Sequence, residues 1–283
     1  MIRCQPALGT FVEIEACHPK EVLASEHDSA LSFAIDQAFK AIQTAQSSMS
    51  VFNLNSDLSQ INAGNFLNRA GVIHPWLWEV LHLAKQIHAL SPDFDPSATI
   101  YLMHQGMRPP IDKLSKAVPG SLDDVILLYG HRVVTKKPVY IDLGGIAKGA
   151  AVDRAIDALQ THGVVSGSVN AGGDLRVFGT KAHSIHLRHP SSPQSTFYAG
   201  KLQDGALATS GDYFVSYGGD PQQKNGHLIS PKHHLPIQTE KSFSVIAPIC
   251  AVADALTKVF AVSGDAQHPA LRHFGAQAIE VTA

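Results

Sequence analysis

An apolar run that breaks at a glycine pair and resumes as a helical pattern constrains this chain more than any other stretch. It reads Tyr140-Ile141-Asp142-Leu143-Gly144-Gly145-Ile146-Ala147-Lys148-Gly149-Ala150-Ala151-Val152-Asp153. A strand must end and a helix must begin within a few residues, and glycines at 144, 145 and 149 let other atoms approach the backbone closely. The first amides of a helix opening after Ile146 have no partners within that helix, and Lys148 adds a mobile cation, so the junction suits an anion such as phosphate. The same pattern also fits an ordinary strand-to-helix corner.

Periodicity supplies the surroundings. Residues 11 to 16 alternate Val12, Ile14 and Ala16 with Glu13 and Glu15, as a half-buried strand does. Leu31, Ile35, Ala38, Ile42 and Ala45 recur at helical spacing between 29 and 48, and Leu77, Val80, Leu81, Ala84 and Ile87 repeat the pattern after Pro75. Residues 91 to 124 carry Pro92, Pro96, Pro109, Pro110 and Pro119 and read as an irregular excursion of the lid kind rather than as regular structure. Strands are expected near 125–128, 132–134, 138–142, 164–169, 174–178, 184–188 and 242–247. Helices are expected at 147–161 and 251–263, with a loop over 216–240.

Composition narrows the function. A formal charge of −2 with no basic run lacks the footprint of a nucleic-acid binder, and no apolar stretch approaches the length of a bilayer span. The three cysteines, Cys4, Cys17 and Cys250, have no metal-type spacing and read as free thiols. Most of the sixteen histidines, among them His183, His186, His189, His233 and His234, read as scattered surface residues. The residues before Leu8 contain no signal-type apolar core, so the chain is expected in the cytoplasm, or in the periplasm if an export signal has been removed.

Other segments accompany the glycine junction: Leu8-Gly9-Thr10, Met49-Ser50-Val51-Phe52, Val169-Asn170-Ala171-Gly172-Gly173-Asp174, Ala208-Thr209-Ser210-Gly211-Asp212, His227-Leu228-Ile229-Ser230-Pro231 and Ala253-Asp254-Ala255-Leu256. By their own chemistry they stay ambiguous. Asn170 to Asp174 suits a hairpin turn as well as the polar edge of a nucleotide. Thr209 and Ser210 suit a helix cap or a pair of hydroxyl donors. Phe52 suits core packing or stacking on a flat ring.

In order and spacing these segments together resemble the ApbE-type FAD:protein FMN transferases, over about residues 8 to 264. The resemblance implies an α+β fold with two lobes, a mostly antiparallel sheet core and flanking helices, carried by a single domain over 1–283. It implies FAD in the cleft, FMN moved to a threonine of a separate redox flavoprotein with release of AMP, and Mg2+ as the ion. It assigns flavin binding to Thr10, Met49, Phe52, Asp142, Gly144, Gly145, Lys148, Asn170, Gly172, Gly173, Asp174, Thr209, Ser210 and His227. Catalysis falls to His227, Lys148 and Asp254, and the metal to Ala147, Asp254 and Thr257. An FAD pyrophosphatase and an FAD-binding protein with little catalysis are the alternatives.

Several positions depart from that family's pattern, His233-His234 in place of a Thr-Gly among them. Ser230 replaces an Asp, Ala150 an aromatic residue, Pro92-Asp93 an Asp-Gly, and Lys258 stands where a threonine is expected one turn after Asp254. An ammonium at a metal-ligand position repels magnesium while itself being able to neutralise a diphosphate.

Overall fold

The computed structural model describes residues 1–17, 24–105, 120–211, 228–237 and 239–282, without the side chains of 24–27 and 193. In chain order the strands are β1 (Ile2–Ala7), β2 (Thr10–Cys17), β3 (Gly71–Val72), β4 (Val125–Leu128), β5 (Arg132–Thr135), β6 (Ser166–Ala171), β7 (Asp174–Phe178), β8 (His183–His189), β9 (Ser192–Leu202), β10 (Gly205–Gly211), β11 (Ile229–Ser230), β12 (Leu235–Pro236), β13 (Ser242–Ala247) and β14 (Gln277–Val281). The helices are α1 (Ala24–Met49), α2 (Asp57–Asn62), α3 (Pro75–Leu90), α4 (Ile100–His104), α5 (Ala147–Thr161), α6 (Cys250–Ser263) and α7 (Pro269–His273).

A seven-stranded antiparallel sheet in the order β1-β2-β6-β7-β10-β13-β14 organises the molecule. The alternation of β2 buries Val12, Ile14 and Ala16 completely, and pairing sets Val12 opposite Ala171 and Ile14 opposite Val169. One face of the sheet carries helices: α6 packs on β10 and β13, α5 on α6, and α1 on α5. Their apolar stripes form one core with the sheet, including Ile35, Ile42, Leu159, Leu256 and Phe260. The β8–β9 hairpin covers part of the other face through Ile185, Leu187 and Leu202 against Val177, Leu207 and Val281. The architecture is α+β, as expected.

Helix α1 begins at Ala24 and runs to Met49, longer than its periodic core suggests, and α3, α5 and α6 fall within a residue of expectation. The strand expected at 138–142 does not form a ladder. Pro138 interrupts donation at its start, and the amide of Asn62 takes over both backbone groups of Ile141, donating from Nδ2 to its carbonyl at 2.9 Å and accepting its N–H at 2.8 Å. Asp142 N–H then donates to the Pro96 carbonyl at 3.0 Å. In its described part the excursion at 91–124 holds α4 and a 3-10 turn at Leu122–Asp124, while 106–119 lies outside the described residues. The described part of the loop at 216–240 contains the short β11–β12 hairpin.

Candidate functional site

The N-termini of α5 and α6 meet, and each is capped by a carboxylate from the other helix. Asp153 on α5 accepts the Cys250 and Ala251 amides, both at 2.9 Å, so α6 starts without a capping side chain at Ile249. In return Asp254 on α6 accepts the Gly149 amide at 3.2 Å. Two positive helix ends thus lie side by side, each neutralised by a buried acid. Gly149 makes the crossing fit: a Cβ there would sit 2.3 Å from the Cys250 carbonyl oxygen. The glycine expected to admit a ligand instead admits a neighbouring helix, and the anion at that helix start is the protein's own Asp254.

Two lysines complete a buried charge cluster. Lys148 Nζ lies 2.5 Å from Asp174 Oδ2, with Asp174 2% exposed. Lys258 Nζ pairs with Asp254 Oδ1 and also donates to the Asp254 carbonyl at 3.0 Å, while Asp254 is fully buried. Burial opposes charge on Lys148, but Asp174 and Asp254 outweigh it and hold its pKa above the ordinary lysine value. Burial, reinforced by the charge of Asp254, lifts Asp174 to about 6 despite the pull of Lys148. Burial would raise Asp254 as well, but Lys258 and then Lys148 hold it below the usual carboxylate range. The buried Cys250 thiol, pushed well up by burial and by these acids, stays protonated.

Around the cluster the candidate residues fall into groups. Gly172 and Gly173, with φ of +63° and +107°, make the tight turn between β6 and β7. Asn170 Oδ1 accepts the Gly173 amide at 3.0 Å, so the hairpin reading of Asn170 to Asp174 is realised, and the turn delivers Asp174 to Lys148. Thr10 stands against this turn, its Oγ1 2.7 Å from where a Gly172 Cβ would lie. Asp142, Gly144, Gly145 and Lys258 line a cleft of about 80 Å³ together with Leu228, Ile229 and Pro231. Asp142 Oδ1 accepts the Gly144 amide at 2.8 Å, which shapes the glycine turn.

Thr209 and Ser210 cap no helix. Both lie on β10, where Thr209 Oγ1 meets Ser244 Oγ at 2.7 Å and Ser210 Oγ meets Thr257 Oγ1 at 2.7 Å. Met49 is a core residue at the end of α1, buried to 5% exposure. Phe52, three residues on, is 78% exposed in the turn that leads to α2, outside the lining of the cleft. His227 and Asp212 lie outside the described residues.

The residues expected to hold magnesium do not fit it. One Asp254 oxygen faces an ammonium and the other a backbone N–H. The Thr257 hydroxyl donates to the Asp254 carbonyl at 2.7 Å and contacts Ser210, leaving it poorly placed as a ligand. Ala147 sits in the first turn of α5 and brings no side-chain donor. Among the described residues no group of three or more His, Cys, Asp or Glu could hold a metal ion. A hard dication needs several oxygen donors and tolerates no cation among them.

Sequence reasoning missed Asp153 and Arg176, which pair at 2.7 Å, and Asn62, which fixes Ile141. The signal for Asp153 was present: a lone carboxylate among Ala150, Ala151, Val152, Ala155 and Ile156 has to find partners when that face is buried.

Comparison with known proteins agrees with this fold. The model of the ApbE family matches residues 8–281. A Rhodobacter capsulatus protein named FAD:protein FMN transferase is 28% identical over 232 residues, 75% of this chain and 43% of that protein. A Vibrio cholerae protein of the same name is 34% identical over 133 residues, 45% of this chain and 40% of that protein. The matched stretches therefore span less than half the length of either relative. The solved structure of the flavin transferase ApbE from Vibrio cholerae superposes with a TM-score of 0.78 at 24% identity, covering 99% of this chain and 92% of that one.

Proposed function

This chain belongs to the ApbE family, and from that premise we propose that it is an FAD:protein FMN transferase acting on a threonine of a separate flavoprotein. The observation that carries the reading is a cleft lined by Lys258 and the Gly144-Gly145 turn, with Lys148 in the charge cluster behind Lys258, an arrangement suited to phosphate. In the reaction the acceptor's hydroxyl oxygen attacks the phosphorus on the FMN side of the diphosphate. The new O–P bond forms as the bond to the AMP phosphate breaks, and the hydroxyl proton leaves to a base, a role proposed for His227.

The protein's part is to hold the diphosphate in line and stabilise its charge, for which the two ammoniums are placed. Phe52, held exposed by the turn after α1, supplies a face for the flavin ring. No step is assigned to magnesium, because the donors at Asp254 do not fit it. Cytoplasmic residence, or periplasmic residence after loss of an export signal, belongs to the same proposal.

Incubating the protein with FAD and a threonine-bearing acceptor tests the reading. AMP by chromatography together with flavin fluorescence on the denatured acceptor is the expected result. AMP without protein-bound flavin would make it a pyrophosphatase. Neither product, with FAD still bound, would support the binding-protein reading, which the Lys258–Asp254 pair favours through its occupation of the expected metal position.

A further inference from the structure

We infer that Lys258 is the resident cation of the cleft, its ammonium meeting the phosphate of a bound flavin dinucleotide in place of a divalent metal ion. The inference rests on the flavin reading above and specifies how that site handles charge.

Exposure within the charge cluster is arranged by sign. The carboxylates are sealed in, Asp174 at 2% and Asp254 at 0%, whereas the side chains of Lys148 and Lys258 are 37% and 20% exposed. Two acids and two ammoniums cancel, so the cluster is close to neutral as a whole, but an arriving ligand meets the ammoniums. Carboxylate oxygens with no solvent access are poor bait for a hydrated dication, which sheds water reluctantly.

The path of the Lys258 side chain is also fixed. Its stem runs along Gly145, where an added Cβ would come within 3.3 Å of Cε and 3.6 Å of Cδ. Gly145 is therefore small for the lysine rather than for a ligand, and the aliphatic stem reaches the cleft wall shared with Asp142 and Gly144. At the far end Asp254 holds the ammonium through both a carboxylate and a carbonyl oxygen. A lysine tethered in this way is a point charge with little entropy left to lose when phosphate arrives.

Two independent measurements test this. In the first, Mn2+ is titrated into flavin-free protein and followed by electron paramagnetic resonance. The parent should bind no stoichiometric Mn2+, and Lys258→Arg, which keeps a cation on Asp254, should bind none either. A stoichiometric Mn2+ site in the parent that Asp254→Asn abolishes would overturn the inference.

In the second, FAD is titrated by flavin fluorescence in EDTA and in excess Mg2+. The parent Kd should change less than about threefold between them, Lys258→Arg should keep that indifference, and Lys258→Ala should weaken binding about tenfold or more in EDTA. Tightening of the parent by more than about tenfold on adding Mg2+ would overturn it. If Lys258→Ala does not fold, the parent and Lys258→Arg titrations still decide. Failure of the parent to bind FAD in either buffer would remove the proposed function, while the Mn2+ titration would still judge Lys258.

Discussion

The crossing of α5 and α6 and the corner after α1 treat their functional groups in opposite ways. At the crossing, Asp153, Asp174 and Asp254 each have a partner of opposite charge, both helix starts are capped, and a single glycine sets the separation of the helices. At the corner, Phe52 projects into water, although the backbone beneath it is anchored. Its amide donates to Ser50 Oγ, and Ser56 caps α2 while donating to the Ser50 carbonyl at 2.8 Å. The first region is organised by the protein for itself, and a ligand can only borrow its outward charges. The second has an unsatisfied apolar ring that gains from covering. Damage to the buried acids and caps of the first should therefore appear as lost stability, and damage to the second as lost binding.

The largest expected effect is that of Asp153→Ala, which strips two helix amides and Arg176 of their acceptor. It should cost about 3–5 kcal/mol in chemical denaturation, since it leaves a buried charge and two buried donors unpaired. A loss below ~1 kcal/mol would mean that the crossing does not depend on its caps.

Gly149→Ala comes next. Helix propensity favours alanine by up to ~1 kcal/mol, but the new Cβ collides with the Cys250 backbone, and the sum should be a loss of about 1–3 kcal/mol. A rise in melting temperature would show that the helices can separate at little cost.

Asp174 gives a pH signature. Its pKa of about 6 in the folded protein lies above the ordinary value of 3.8, so the native state binds its proton more readily than the unfolded chain does. Its contribution to stability is most favourable at low pH and declines as pH rises from near 4 through about 6. The stability of the parent relative to Asp174→Asn should fall over that range, and a difference independent of pH would place the proton elsewhere.

The smallest effect on stability belongs to Phe52→Ala. An exposed ring contributes little to folding, so stability should stay within ~0.5 kcal/mol. Flavin affinity should drop by about 0.5–1.5 kcal/mol, and to the same extent for FMN and FAD.

Much of this contrast is legible in the sequence. The long helices and β2 follow from apolar periodicity, and the glycine junction, Lys148 and the Asp254–Lys258 spacing mark the charged region. What sequence reading misses are relations between distant segments. A strand pattern at 138–142 carries no sign that Asn62 will take the backbone bonds of Ile141. Gly149 looks the same in sequence whether a phosphate or a helix approaches it. Thr209 and Ser210 look like a cap until β13 and α6 supply Ser244 and Thr257 as partners. In each case the local chemistry allows two outcomes, and long-range packing selects one.

The central claim is that the two regions serve one dinucleotide, the ring at Phe52 and the diphosphate at Lys148 and Lys258. A fluorescence titration of the parent with FAD and with FMN tests it directly. FAD should bind more tightly by about tenfold or more, because only FAD presents a diphosphate to the lysines. Equal affinities would contradict the account, leaving the α5–α6 crossing as a structural device with no share in the ligand.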